Sequence, residues 1–124
     1  SPRGAVRARG ARALAARMPF PVRVDAISER LSPEVEATAY FVASEALANV
    51  AKHANASRAV VRATRENGLL VVEVSDDGVG GADAGAGSGL NGLADRVEAH
   101  GGRLSIDSVR NSGTRVVVEI PCAS

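Results

Sequence analysis

The sequence is poor in aromatic residues, in cysteine and in long apolar runs. Aromatics make up 2% of its 124 residues, so any core must be built from Val, Leu, Ile and Ala. Cys122 is the only cysteine. That excludes an intrachain disulfide and fits a reducing compartment. No apolar stretch approaches the roughly 20 residues that a membrane-spanning helix needs. The formal net charge of +1 gives no general attraction to polyanions, so no nucleic-acid partner is expected. One local exception is the start of the chain, where Arg3, Arg7, Arg9, Arg12 and Arg17 all precede the first acid, Asp25. Residues 1–18 read as a linker remnant rather than an organelle transit peptide or a nucleic-acid tail.

What is present is an apolar content of 45%, enough for one domain with a real core. Two prolines in Met18-Pro19-Phe20-Pro21 end the Arg-rich segment. Val22 to Ile27 alternates as a half-buried strand does. Ser32-Pro33-Glu34-Val35-Glu36 opens a helix, with an N-cap serine, proline in the first turn and acids beside the positive end of the dipole. The apolar pattern carries this helix to about His53. Strands follow at Arg58–Thr64 and Leu69–Ser75, joined by the hairpin signal Asn67-Gly68. A glycine-rich loop spans Gly78 to Gly92. A short helical pattern from Leu93 to His100 stops at Gly101-Gly102. Two more strands, Leu104–Val109 and Arg115–Ile120, turn at Asn111-Ser112-Gly113, and Pro121 closes the last. Five strands and two main helices, with hairpins outnumbering crossovers, predict an α+β two-layer sandwich: a mixed, largely antiparallel sheet with helices on one face.

The long helix carries the most informative pattern. At 100° per residue, Glu45, Asn49, Lys52 and His53 fall on one stripe of an otherwise apolar helix. Buried polar groups need partners, which points to a polar ligand. A carboxylate and an amide oxygen can hold Mg²⁺ or its waters, and a lysine beside them can meet a phosphate.

Gly87-Ser88-Gly89-Leu90-Asn91-Gly92 matches the dinucleotide fingerprint G-x-G-x-x-G, but its context excludes that reading. The fingerprint needs a strand leading into its first glycine, within a parallel β-α-β unit. Here Ala82 to Ala86 reads as loop, and Asp107 lies in a hairpin. The P-loop pattern is absent as well. Asp76-Asp77-Gly78-Val79-Gly80 instead follows a central strand, where a carboxylate can accept from an adenine amino group while glycines let the backbone approach a ligand. Asp77 reads as a turn residue. Gly87, Ser88 and Gly89 precede a helix whose free N–H groups attract phosphate. Residues 81–88 are small enough to form a lid between the two.

Taken in order, the Glu45/Asn49/Lys52/His53 helix, Asp76-Asp77-Gly78-Val79-Gly80, Gly87-Ser88-Gly89-Leu90 and Gly113-Thr114 resemble the motifs of the Bergerat-fold ATPases. That superfamily includes gyrase, the large heat-shock chaperone, histidine kinases and mismatch-repair ATPases. The wording E-A-L-x-N-x-x-K-H-A and the ending G-L-x-G-L-x-D-R-V-E-x-x-G-G are similar to one branch, the bacterial sensor histidine kinases of the nitrate-sensor and desaturase-thermosensor type. The resemblance spans about Pro19 to Pro121 and makes residues 19–124 the ATP-binding catalytic domain.

The resemblance implies ATP and Mg²⁺ as cofactors and assigns residues to them. Asn49 ligates the metal, and Glu45 either holds a metal-bound water or polarises the acceptor histidine. Lys52 and His53 contact phosphates. Asp76 binds the adenine amino group over a floor formed by Gly78 and Gly80. Gly87, Gly89 and Leu90 form the lid hinge and further phosphate contacts, and the Thr114 hydroxyl supports the adenine pocket.

Kinases of this kind phosphorylate a histidine that is typically followed by an acid. His53 and His100 are followed by Ala54 and Gly101. The acceptor histidine is therefore expected on a separate dimerisation domain, with a response regulator downstream. This chain alone is expected to be a monomeric cytoplasmic domain, and the parent a homodimer, membrane-anchored or cytoplasmic. An anti-sigma serine kinase shares the fold, but the Lys52-His53-Ala54 wording and the linker-like start argue against it. A nucleotide-binding interaction module without phosphotransfer ranks last, because the motifs look intact.

Overall fold

The computed structural model describes residues 12–26, 31–54, 56–78, 90–108 and 113–122. Its elements are β1 (Val22–Asp25), α1 (Pro33–Asn49), a π-helical segment (Val50–Ala54), β2 (Ala59–Glu66), β3 (Leu69–Asp76), α2 (Leu90–Ala99), β4 (Arg103–Ser108) and β5 (Thr114–Pro121). The five strands form one sheet in the order β1-β2-β3-β5-β4. Only β1 and β2 pair in parallel; the other pairs are antiparallel. The expected mixed, largely antiparallel sheet is thus observed.

Strand alternation fixes which face carries the helices. Leu70, Val72 and Val74 of β3 are buried, as are Val116, Val118 and Ile120 of β5. The register sets Val72 opposite Val118, and Val74 opposite Val116 and Val61. Successive side chains of a strand alternate faces, so these residues share the inner face. They pack against Val42 of α1 and Leu93 and Val97 of α2 in one cluster, and against Ala43, Ala46 and Leu47 of α1 in a second. All are aliphatic, as the aromatic shortage requires. Leu14 joins the second cluster at 4% exposure, with Met18 and Phe20 against it. The chain before β1 therefore docks on the core, although much of it is rich in arginine.

Local chemistry explains the element ends. The Ser32 side chain accepts from the Val35 N–H at 3.3 Å, and the Glu36 carboxylate reaches back to the Leu31 N–H at 3.0 Å. Asn67 and Gly68 both have positive φ, the conformation that a two-residue type I′ turn demands. At the end of α2, the Gly102 N–H reaches the Val97 carbonyl and the Gly101 N–H reaches the Glu98 carbonyl, each at 2.9 Å. With Gly101 at φ +76°, this is a Schellman termination.

Several boundaries depart from the sequence reading. The α-helical part of α1 ends at Asn49, and residues 50–54 wind as a π-helix. β1 ends at Asp25, two residues early, and Ile27 lies outside the described residues. β2 begins at Ala59, one residue late, and runs on to Glu66. β4 runs from Arg103 to Ser108, and β5 takes in Thr114 and Pro121. α2 starts at Leu90, three residues early, and so takes in Gly92. A glycine inside a helix costs about 1 kcal/mol. Burial of Leu93 and Val97 offsets it, since each such side chain contributes roughly 1.5–3 kcal/mol.

Candidate nucleotide site

The core clusters give the direction of each helix over the sheet. Leu31 and Val35, at the start of α1, belong with Leu70 and Val72, whereas Ala46 and Leu47 belong with Ala59, Val61 and Val74. Therefore α1 runs alongside β3, and its C-terminal end lies over the end of β3 that carries Asp76. α2 runs the other way. Beyond its C-terminus, a Cβ on Gly101 would meet Pro121, and Pro121 pairs with Leu69 at the opposite end of β3. Its N-terminus at Leu90 is thus directed toward the Asp76 end. One end of the molecule gathers three features: the end of α1 with its polar residues, a strand-end carboxylate, and the N-terminus of α2, the positive end of its dipole.

Asp76 continues the row Leu70, Val72, Val74 and so faces the helix layer. Its register partners are Ala59 on one side and Thr114 on the other. Its Oδ1 accepts the Gly78 N–H at 2.7 Å, and its carboxylate also accepts from the backbone N–H of Thr114. Burial pushes its pKa above the ordinary 3.8, and the neighbouring Asp77 charge adds to this, while the N–H donors of Gly78 and Thr114 oppose it. Gly78 is buried. The expected strand-end carboxylate, half-buried and pre-oriented by two backbone donors, is present.

On α1, Glu45 is exposed and Asn49 half-buried. Four residues apart, they share a helix face. Lys52 is exposed and stands in the π segment beside His53. A π turn holds more residues than an α turn, so the 100° arithmetic that put Lys52 and His53 on the same stripe does not extend past Asn49. Leu90 opens α2. Gly80, Gly87 and Gly89 lie outside the described residues, as does the 81–88 lid. Thr114 adjoins Asp76, and the contact on the Asp76 carboxylate comes from its backbone N–H.

Two residues carry roles that the sequence did not disclose. Gly113 is buried at φ +89°, and a Cβ there would stand 2.0 Å from the Asp76 carbonyl oxygen. Asp77 is more than a turn residue. Its Oδ1 accepts the N–H groups of Ser57 at 2.9 Å and Arg58 at 3.0 Å, and its Oδ2 accepts the Ser57 hydroxyl. The Ser57 hydroxyl, then the Arg58 N–H, hold its pKa below the ordinary 3.8. Both roles depend on contacts distant in sequence. The local hints were the Gly113-Thr114 motif and a second acid beside Asp76, just past the end of β3.

Residues 34–124 match the family model described as histidine kinase-, DNA gyrase B- and HSP90-like ATPase. The chain belongs to this family. Its ATPase relatives include sensor histidine kinase YxjM of Bacillus subtilis, 34% identical over 93 residues, which cover 75% of this chain and 23% of that protein. The oxygen sensor histidine kinase NreB of Staphylococcus carnosus is 39% identical over 98 residues, covering 76% of this chain and 28% of that protein. Among solved structures, the blue-light activated histidine kinase of Erythrobacter litoralis superposes with a TM-score of 0.79 at 27% identity, over 95% of this chain and 41% of that one. This chain spans about a quarter of the length of the two sequence relatives. It is a domain of this ATPase family, which implies ATP as its nucleotide, and it is similar to part of each of these sensor histidine kinases. No helix among the described residues is long and apolar enough to cross a membrane.

Proposed function

We propose that the chain is the catalytic domain of a two-component sensor histidine kinase, passing the ATP γ-phosphoryl group to a histidine on a separate dimerisation domain for relay to a response regulator. The observation that carries this reading is the convergence, at the Asp76 end of the central strand β3, of Asp76, the Asn49 end of α1 and the N-terminus of α2. Residues 1–18 connect it to the rest of the parent, which we take to be a homodimer with this domain in the cytoplasm.

Asp76 receives the adenine amino group, held in place by the Gly78 and Thr114 N–H donors, with Gly78 and Gly80 beneath the ring. Lys52 and His53 meet phosphates, together with Gly87, Gly89 and Leu90 at the start of α2. Among the described residues no group of three or more His, Cys, Asp or Glu side chains could hold a metal by itself. Mg²⁺ carried by a nucleotide keeps several waters and takes one or two protein ligands beside phosphate oxygens. Asn49 would supply one such ligand. Glu45 would hold a water on the metal or polarise the acceptor histidine. Bound Mg²⁺ would neutralise charge on the transferred group. The protein's share is positioning and electrostatic stabilisation, with Lys52 as the fixed cation.

Calorimetric titration of Mg-ATP into the chain, beside Asp76→Ala, tests the pocket: saturable binding is expected for the wild type and none for the variant. Asn49→Asp in the full-length protein is expected to abolish phosphotransfer. Full activity in that variant would exclude the Mg²⁺ assignment.

A further inference from the structure

The adenine carboxylate and the phosphate-facing residues come from segments far apart in sequence, so some contact must fix their separation. The chain leaving the π segment reaches Ser57 and Arg58 only a few residues after Lys52 and His53, and there it meets Asp77, the residue next to Asp76. The Asp77 carboxylate takes two N–H groups and a hydroxyl from these two residues, and the Arg58 Nε lies 3.7 Å from Oδ2. In return the Asp77 N–H donates to the Arg58 carbonyl at 3.4 Å. The ladder between β2 and β3 ends at Ala59 and Asp76, so this clamp extends the pairing one step beyond the sheet. Nothing in the packing needs it: Ser57, Arg58 and Asp77 are all exposed, and the hydrophobic clusters do not include them.

We propose that Asp77 is a positioning residue for the nucleotide, tethering the segment that carries Lys52 and His53 to the strand end that carries Asp76. The inference rests on the nucleotide site proposed above. Asp77 touches neither ligand nor metal; it sets the distance between the two halves of the site. Its loss frees the phosphate end and leaves the adenine end in place, because Asp76 keeps its own donors from Gly78 and Thr114.

The test compares Mg-ATP, by calorimetry, with adenosine, by ligand-observed NMR, on the wild type, Asp77→Ala, Asp77→Asn and Asp76→Ala. Asp77→Ala is expected to weaken Mg-ATP about tenfold and to leave adenosine within about twofold. Asp77→Asn is expected to restore part of the loss, since its amide oxygen still accepts the two N–H groups and Ser57 can accept from its NH₂. Asp76→Ala is expected to lose both ligands. Equal weakening of Mg-ATP and adenosine in Asp77→Ala, or no weakening of either, overturns the positioning role. Failure of the wild type to bind either ligand, or retention of both by Asp76→Ala, overturns the site itself.

Discussion

Gly113 lies so close to Asp76 that a Cβ on the glycine would stand 2.0 Å from the Asp76 carbonyl oxygen and 3.2 Å from the Asp77 Cα. The nearest atoms are backbone, so no side chain can swing aside. With φ at +89°, the position also disfavours any L side chain. Gly113→Ala must push β3 away from β5 where Asp76 sits. The expected cost is about 2–4 kcal/mol, combining overpacking with the φ penalty. Urea unfolding measures it. Because the displaced strand end carries the carboxylate proposed to bind adenine, Mg-ATP affinity should fall along with stability. Unchanged stability would mean that the hairpin opens at no cost.

Asp76 and Asp77 are adjacent, yet their contributions to stability have opposite signs with pH. The raised pKa of Asp76 means that the fold disfavours its charge. Its contribution is fully present below the ordinary 3.8 and is lost as pH rises through the elevated folded value. Asp76→Asn keeps an oxygen for the Gly78 and Thr114 donors without the charge, so it should be more stable than wild type at neutral pH, an advantage that vanishes in acid. It should also lose nucleotide binding, as when an active site retains a costly group for function. The lowered pKa of Asp77 works the other way. Its contribution is present above 3.8 and is lost as pH falls through the depressed value. The stability difference between wild type and Asp77→Asn should therefore favour wild type at neutral pH and shrink below 3.8. Unfolding curves across this range check both signs.

The sequence made the fold legible because its signals were local. Ser32-Pro33 announced α1, Asn67-Gly68 the hairpin, and Gly101-Gly102 the end of α2. Asp76 could be singled out because it follows an apolar strand and precedes glycines. What escaped depends on tertiary contact. The π winding at residues 50–54 has no signature in the pattern of apolar residues. The Asp77 clamp joins residues 19 and 20 positions apart, and the need for glycine at 113 comes from a strand 37 positions away. Helix direction over the sheet, which gathers the site at one end, emerged only from the two core clusters.

Leu47 shows how the core supports that end. It is 0% exposed and lies two residues before Asn49, packed with Val61 and Val74. Leu47→Ala removes buried methyl groups and leaves a cavity, at an expected cost of about 2–5 kcal/mol. Against a typical total of about 5–15 kcal/mol, the domain should remain folded at low temperature with a lowered melting point. Calorimetric scanning checks this. A loss under 1 kcal/mol would mean that α1 relaxes onto the sheet, since collapse of the site is what lowers such costs.

Asn49 and Lys52 can be separated by Mg²⁺. An amide oxygen acts on the nucleotide through the metal, whereas an ammonium acts on phosphate directly. For the wild type, Mg²⁺ should raise ATP affinity above its value in EDTA. Asn49→Ala should remove most of that increment and leave the affinity in EDTA within about twofold. Lys52→Ala should weaken ATP about tenfold under both conditions and flatten the dependence on ionic strength, since exposed charge pairs are screened by salt. Adenosine, lacking phosphates, should bind both variants as it binds wild type. Loss of adenosine in either variant would mean that the end of α1 shapes the adenine pocket rather than the phosphate end. A Mg²⁺ increment that survives Asn49→Ala would move the metal to Glu45 or to the nucleotide alone.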